Sequence, residues 1–495
     1  MASKADQNTV LVTMIAVMAS AVLFFWATGL HPRWALTWIA PLPVLLIAPR
    51  LSGKATFGWS TLAWSLGGLN MWRYFAAVAG PQGSASGRIL PLLVPLFFTL
   101  GVGCVFALSV LLWRFFVRRG EPGKAALALP AAWVAYEYIL SLSWPHGTWG
   151  SLAYTQMDFL PLVQLASLTG VWGMSFFLLL PSATLAALPA SPATRRQKRT
   201  TALGFAIACA AVLGYGWGRL RWAPQGSSTV MVGLIASDSS ENVFTQSPEQ
   251  TPRLMHDYLD EARSLAAEGA QVIVLPEKLG VVVDPRLTAD LDSTFNRAAR
   301  EAGGEIVVGV IRRTPTAKLN EARVYSGTGL APLFYQKEHM LPAFESSFAP
   351  GTGRLSFDQP SGKWGVEICK DMDFPRLSRD YGADRVGLML VPAWDFGEDG
   401  WLHGRMAVLR GVESGFSIAR APKQGLLTVS DDRGRILAEK NSSAARFAAL
   451  VARVPVRNDV TPYRVLGDWF AWLDLALLAW LLAEVVRGRD TLSRD

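Results

Sequence analysis

The chain has 495 residues, of which 51% are hydrophobic and 17% charged, against roughly a quarter charged in an ordinary soluble protein. A mean hydropathy of +0.25, with 19 Trp and 24 Phe, excludes a disordered chain, a collagen-like chain and a simple soluble enzyme, and points to a membrane protein. The net charge of +8 divides unevenly: residues 222–466 hold 28 basic and 30 acidic residues, and the rest hold 19 and 9. The basic excess therefore belongs to the apolar parts, where it sets membrane orientation, and no basic soluble face suggests a nucleic-acid partner.

Apolar runs near the spanning length of about 20 residues recur at 9–30, 34–49, 57–79, 89–113, 125–143, 162–188 and 201–219, and an eighth at 468–486. The second is short and the third contains Arg73. The first is too long for a signal peptide and is followed by further spans, so it reads as an uncleaved anchor. Lys4, Arg50, Lys54, Arg114, Arg118, Arg119, Lys124, Arg195, Arg196, Lys198, Arg199, Arg487, Arg489 and Arg494 fall on one side of the eight spans, and Arg33, Arg73 and Arg88 on the other. By the positive-inside rule both termini are cytoplasmic and the polar region between the seventh and eighth spans faces outward. The expected organisation is a transmembrane bundle over 1–221, a soluble domain over 222–466, and a final span with a cytoplasmic tail over 467–495.

Within the soluble domain, TVMVGLIA (229–236), QVIVLPE (271–277), EIVVGVI (305–311), WGVEICK (364–370) and VGLMLVPA (386–393) read as buried strands. Leu254, Tyr258, Ala262 and Leu265 share one helical face, and further helices fit 286–302 and 401–415. Strands alternating with helices argue an α/β fold whose sheet is covered by helices.

The three cysteines, Cys104, Cys209 and Cys369, make no disulfide framework, because only Cys369 lies in the polar region. The five histidines form no metal-binding motif. Three chemically capable residues stand at strand ends: Glu277 after VIVLP, Lys337 after LFYQ and Cys369 after WGVEI. A carboxylate, an ammonium and a thiol brought together would make an acyl-transfer site. The thiol needs a base, the carboxylate can take and return its proton, and the ammonium can stabilise an oxyanion together with the backbone N–H after the cysteine. Taken singly, a cysteine in an apolar strand is more often a core residue, and a Glu or Lys at a strand end more often solvated.

The segments around the three residues are similar to the nitrilase (carbon–nitrogen hydrolase) superfamily. They are LPEKLG with Glu277, YQKEHMLPAFE with Lys337 and Glu345, GVEICKDMDFP with Cys369, FAPGTG (348–353) and HGRMAVLRGVESGFSIARAP (403–422). With WPHGTWGSLAYTQMDFLPLVQLASLTGVWG (144–173) and PAWDFGEDGWLHGRMAVLRGVE (392–413), the chain resembles the apolipoprotein N-acyltransferases of bacterial inner membranes. The resemblance implies an αββα sandwich joined to a membrane bundle of about eight helices, and no cofactor. It implies an acyl chain taken from a phospholipid and placed on the α-amine of the N-terminal diacylglyceryl-cysteine of lipoproteins. Cys369 would carry the chain as a thioester, Glu277 would be base and then acid, Lys337 would hold the oxyanion, and Glu345 would position or activate the amine.

Several positions depart from that family. Lys370-Asp371 follows the nucleophile where Tyr-Glu is usual; Lys370 is expected to favour thiolate and Asp371 to replace the Glu at shorter reach. Leu275-Pro276-Glu277-Lys278-Leu279 stands where Trp-Pro-Glu-Thr/Ser-Ala is frequent, and Lys423-Gln424-Gly425 where Asn-Asn-Gly is common. Only Ser346 and Ser347 separate Glu345 from Phe348, a form closer to soluble amidases. Trp149, Trp394, Trp401 and His403 are candidates for the substrate rim. Trp149, Trp172, Trp394 and Trp401 also fit interfacial anchoring, the commoner role of membrane-protein tryptophans. Glu137 and Asp474 lie inside apolar spans, where ionisable groups are costly and suggest function or pairing. Two other readings stay open. One is a membrane-tethered amidase; the other is a non-enzymatic membrane scaffold with an inactive nitrilase-like domain.

Overall fold

A computed structural model of the protein describes residues 4–78, 86–222, 228–239, 247–342 and 344–492. The side chains of Lys4, Arg88, Arg489 and Arg494, counted above, lie outside the described residues. The chain forms two compact units. One comprises residues 1–142, 150–218 and 468–495, and the other residues 143–149 and 219–467.

The first unit is helical. Among the described residues, six helices are long and apolar enough to cross a membrane: Asn8–Ala27, Leu93–Arg118, Pro122–Ser143, Ala166–Ala190, Arg195–Arg221 and Trp469–Arg487. The apolar runs at 34–49 and 57–79 are built differently. The first is divided into Trp34–Thr37, Leu42–Ile47 and Ala48–Arg50, as expected where Pro41, Pro43 and Pro49 remove backbone donors. The second is divided into Gly53–Gly67, Gly68–Met71 and Trp72–Val78, with the break at a Gly-Gly pair. Phe24, Phe106, Trp113, Leu129, Trp133 and Leu178 are among the residues that close the core of this unit. Glu137, buried among them, accepts from Trp133 Nε1 (2.8 Å), Ser151 Oγ (2.8 Å), Ser175 Oγ (2.7 Å) and Leu152 N (2.8 Å).

The second unit is a sandwich of two sheets. Its strands are β1 (Thr229–Ala236), β2 (Val272–Val274), β3 (Gly280–Val282), β4 (Glu305–Arg313), β5 (Lys318–Tyr325), β6 (Leu333–Gln336), β7 (Leu355–Gln359), β8 (Gly362–Val366), β9 (Val386–Trp394), β10 (Ser417–Lys423), β11 (Leu426–Ser430), β12 (Ile436–Asn441) and β13 (Ala448–Pro455). One sheet runs β13-β1-β2-β4-β5-β6, with β3 paired to β4; the other runs β12-β11-β10-β9-β8-β7. The central strands of each sheet, β1-β2-β4 and β8-β9-β10, are parallel. Parallel strands buried on both faces read as continuous apolar runs, which is why 229–236, 305–311 and 386–393 stand out in the sequence.

Side chains from both sheets meet in one core that includes Val232, Val274, Val307, Tyr335, Val366, Leu390 and Ala419. Helices Thr251–Ala267 and Pro285–Ala302 cover the outer face of the first sheet, through Tyr258, Leu259, Phe295 and Ala299. Pro375–Ala383 and Gly400–Ser414 cover the second, through Leu377, Tyr381 and Ala407. This is the αββα arrangement expected from the sequence. Local chemistry agrees with it: Asp284 caps Pro285–Ala302 by accepting from Leu287 N at 2.8 Å, and Gly303 ends that helix at φ 64°.

Candidate active site

The site stands at the C-terminal ends of the parallel strands. Three segments form the candidate site, two just past those ends and one after β6, which pairs antiparallel with β5, and each is fixed by backbone hydrogen bonds. Leu275–Leu279 is laced to β4 through Leu275 N to Val307 O, Gly309 N to Pro276 O and Leu279 N to Gly309 O. Gly309 is required there, because a Cβ would stand 2.5 Å from Glu277 Cα. Glu277 N also donates to Ala393 O of the other sheet, at 3.2 Å. Lys337 follows β6 and donates its N–H to Asn320 O at 2.9 Å. Cys369 opens a short 3-10 turn, Cys369–Asp373, after β8.

Among the described residues, four that are not glycine have positive φ, and three of them are here: Lys278 (54°), Cys369 (46°) and Gln424 (50°). A side chain in this region costs of order 1–2 kcal/mol. Such strain collects where chemistry fixes geometry. At Cys369 it turns the thiol out of the strand and sets Sγ 3.4 Å from Trp394 O.

Lys337 Nζ lies 3.0 Å from Glu277 Oε1 and 2.8 Å from Glu345 Oε2. Asn320 Nδ2 donates to both carboxylates, at 2.5 Å to Glu277 Oε1 and 2.9 Å to Glu345 Oε1. Lys278 pairs with Glu345 Oε1 and lies 3.6 Å from Glu277 Oε1. Leu341 N donates to Glu345 Oε2 at 2.8 Å. Two carboxylates are thus balanced by two ammonium groups in a site where Glu277, Lys337 and Glu345 are buried. Cys369 is partly accessible.

The electrostatics follow from this pairing. Burial raises the pKa of Glu277, but Lys337 and Lys278 outweigh it and hold the carboxyl below its usual range. The same competition brings Glu345 down to about 2. Burial lowers the pKa of Lys337, yet Glu277, Glu345 and Cys369 push it well above the ordinary value. The thiol of Cys369 is pushed up, first by burial and then by the Glu277 charge.

Lys370 does not act on the thiol as the sequence suggested. Its ammonium is committed to Asp373 Oδ2 (3.2 Å) and His146 Nδ1 (3.2 Å). Burial and the Lys370 charge lower His146 to about 4, so the ring is neutral and accepts. The groups that act most on Cys369 after Glu277 are Lys337, Asp395 and Arg420. Asp371 turns back under the site. Its Oδ2 accepts from Tyr335 Oη (2.7 Å) and Ile368 N (3.3 Å), and its Oδ1 from Glu338 N (3.2 Å) and His339 N (2.8 Å).

The four rim candidates separate. Trp394 lies beside Cys369, with Nε1 donating to Gln424 Oε1 at 2.9 Å. His403 lies beside Asp399 (3.3 Å) and Asp395 (3.8 Å). Burial opposes its protonation, but those carboxylates raise it to about 9, so it is a cation and not a base. Trp401 stacks under Arg405, whose guanidinium carbon is 5.4 Å from the ring centroid. Trp149 closes the segment Ser143–Trp149, which docks on the cysteine turn through Thr148 N to Asp373 O at 3.0 Å.

Sequence reasoning did not single out Asn320, Lys278 or Lys423 for a role, nor the exposed aromatic pair Phe344–Phe396, 5.2 Å apart and adjacent in sequence to Glu345 and Asp395. The signal for Lys278 was its adjacency to Glu277. Asn320 gave none, because only pairing of β4 with β5 brings it under both carboxylates.

Residues 20–184 match the family model described as the apolipoprotein N-acyltransferase N-terminal domain, and residues 235–422 match the model of the carbon–nitrogen hydrolases. An apolipoprotein N-acyltransferase from Geobacter metallireducens is 27% identical over 96% of both chains. One from Azotobacter vinelandii is 29% identical over 79% of this chain and 80% of that one. Among solved structures, an amidase from Nesterenkonia sp. aligns over 49% of this chain and 97% of its own, at 22% identity and a TM-score of 0.41. An apolipoprotein N-acyltransferase N-terminal domain and a carbon–nitrogen hydrolase domain, matched in this order along one chain, make it similar over nearly its whole length to the apolipoprotein N-acyltransferases.

Proposed function

We propose that this protein moves a fatty acyl chain from a phospholipid, through a thioester on Cys369, to the α-amine of the N-terminal diacylglyceryl-cysteine of a lipoprotein. The observation that carries the reading is the convergence of Glu277, Lys337 and Cys369 at strand ends that are distant in sequence. Cys369 Sγ attacks the ester carbonyl as its proton passes to Glu277, so no free thiolate need accumulate against the raised pKa. Lys337 Nζ and the backbone N–H after the cysteine meet the developing oxyanion. Collapse expels the lysophospholipid alkoxide, which takes the proton back from Glu277. The thioester then awaits an amine. Glu345 holds Lys337 and Lys278 in place, and the exposed Phe344–Phe396 pair offers an apolar surface beside the site. The partners are thus a phospholipid donor, a lipoprotein acceptor and the bilayer. The protein sits in the inner membrane with both termini cytoplasmic and the sandwich unit outside.

Intact mass spectrometry after incubation with phospholipid in detergent tests the chemistry. A fatty-acyl increment is expected on the wild type and not on Cys369→Ala, cleared by a diacylglyceryl-cysteine peptide with a free α-amine. Clearance by water alone at the same rate would favour the amidase reading, which the short Glu345–Phe348 connection supports. For topology, Leu330→Cys at an exposed turn should react with an impermeant maleimide from the periplasmic side; labelling only after the inner membrane is broken would reverse the orientation.

A further inference from the structure

Glu277 and Glu345 are balanced by Lys337 and Lys278, and the strand pair next to them carries two further cations. Lys318 opens β5, and Arg313 closes β4 directly opposite it in the antiparallel ladder. Side chains alternate between the faces of a strand, so Lys318 shares its face with Asn320, which donates to both carboxylates. Two residues of strand put Lys318 about 7 Å farther out along β5, with Arg313 on the same face beside it. Like charges directly opposite one another in a ladder are destabilising. Among the described residues no carboxylate pairs with either cation. Glu345, whose charge reaches Lys318, is already shared by Lys337 and Lys278.

Phe348 joins these cations to the rest of the site. Lys318 Nζ is 4.2 Å and Lys278 Nζ 5.1 Å from the centroid of its ring, and Ala349 N donates to Lys318 O at 2.9 Å. Lys278 Nζ is also 5.8 Å from the centroid of Trp394, and Lys423 Nζ donates to Lys278 O at 3.3 Å, holding that residue at its positive φ. Trp394 O in turn lies 3.4 Å from Cys369 Sγ. A row of groups thus leads from the nucleophile through Trp394, Lys278 and Phe348 to Lys318 and Arg313. Phe348 is buried, Lys278 and Lys318 are partly buried, and Arg313 is exposed. Burial, then Arg313 and Lys278, lower the pKa of Lys318 against the attraction of Glu345. The outer end of the row therefore carries an excess of positive charge.

The donor of the transfer supplies the missing anion. Its phosphodiester is charged at any pH near neutrality and lies one glycerol unit from the ester that Cys369 attacks. An arginine fork takes two phosphate oxygens, and a lysine adds a point charge. We propose that Lys318 and Arg313, with Lys278 behind them, form the subsite for the phosphodiester of the glycerophospholipid donor. This rests on the acyl-transfer reading above. With the phosphate held at the surface, the glycerol crosses Phe348 and the ester reaches inward to Cys369 and Lys337. After collapse the lysophospholipid keeps the phosphate and leaves by the same route. Lys318 and Arg313 thereby determine donor choice, favouring a phosphate-bearing lipid over a neutral one. The diacylglyceryl-cysteine acceptor carries no phosphate and gains nothing from them.

The test follows acylation of Cys369 by intact mass on the full-length protein in detergent. The donors are phosphatidylglycerol and the diacylglycerol with the same acyl chains, which lacks the phosphate. The wild type should show a KM about tenfold lower for phosphatidylglycerol. Lys318→Gln and Arg313→Gln should each raise that KM about tenfold, with a much smaller effect on kcat and on the diacylglycerol reaction. Lys318→Arg should recover most of the loss, and Lys318→Glu should exceed it. Equal wild-type KM values for the two donors, a loss equal in size with both donors, or a Lys318→Arg as poor as Lys318→Gln would each overturn the proposal. The wild-type comparison serves even if a variant fails to fold. Inorganic phosphate, added at constant ionic strength, should not compete in the millimolar range. Saturating inhibition by it that Lys318→Gln removes would assign the subsite to a free anion and overturn the lipid assignment. A loss confined to discharge by a diacylglyceryl-cysteine peptide would assign the cations to the acceptor and overturn it equally. Phosphatidylglycerol that acylates wild type and variants with one KM defeats this inference alone. A wild type that neither donor acylates defeats the acyl-transfer reading, and this inference with it.

Discussion

Tyr335 Oη donates to Asp371 Oδ2 at 2.7 Å, and this bond ties the strand that delivers Lys337 to the turn that delivers Cys369. The same carboxylate accepts from Ile368 N, Glu338 N and His339 N. Lys337 and Cys369 are therefore held in register by one buried side chain two residues after the cysteine.

Replacing Asp371 with Ala leaves these donors without an acceptor, and each unsatisfied buried group costs roughly 1–3 kcal/mol. Asp371→Ala should lower the melting temperature markedly and slow Cys369 acylation at least tenfold. Asp371→Asn keeps one acceptor oxygen and should lie between. Thermal melts and single-turnover acylation check both; an Asp371→Ala protein as fast and as stable as wild type would remove Asp371 from this role.

Strain at Cys369 predicts an order among inactive variants. The residue holds φ 46°, where glycine pays no Cβ penalty. Cys369→Gly should be more stable than Cys369→Ala by about 1 kcal/mol, with neither forming an adduct. Chemical denaturation of the two proteins side by side decides it, and the reverse order would mean that the turn is not strained.

Glu345 links the site to pH. Lys337 and Lys278 overcome burial and depress its carboxyl to about 2, against an ordinary value of roughly 4.3. A depressed carboxyl contributes stability that is fully present above the unfolded value and is lost as pH falls toward the folded one. The contribution is roughly 3 kcal/mol and should vanish between about pH 4 and 2. Denaturation midpoints followed by tryptophan fluorescence should fall steeply over that window in the wild type. Glu345→Gln should be less stable at pH 7 and flatter below pH 4; an unchanged slope would refute the pairing.

In the membrane unit, Glu137 gathers donors from Trp133, Ser151, Ser175 and Leu152. Glu137→Ala strands all of them where little water can replace the carboxylate, at a cost of roughly 3–5 kcal/mol. Glu137→Gln should lose less, since its carbonyl still accepts. Melting in detergent checks the order, and a Glu137→Ala protein that melts with the wild type would show that the cluster contributes nothing to stability.

The sequence by itself determined the two-part architecture, because burial on both faces of a parallel sheet and immersion in lipid each leave a one-dimensional apolar pattern. It also singled out Glu277 and Cys369, because each follows such a run, whereas Lys337 follows only the short, largely exposed strand LFYQ. Lys278 and Lys423 were visible as letters but not as partners. Their role depends on which strand ends become neighbours, and pairing of β8, β9 and β10 joins positions 369, 394 and 423 across long stretches of chain. Asn320 was invisible for the same reason. The tertiary structure also redirected Lys370: adjacency in sequence to Cys369 placed its charge at the thiol, whereas the turn after β8 sends consecutive side chains apart and leaves its ammonium with Asp373 and His146. Apolar pattern is a local property and survives in the chain, while electrostatic partnership is set by distance in space and exists only once the sheets have closed.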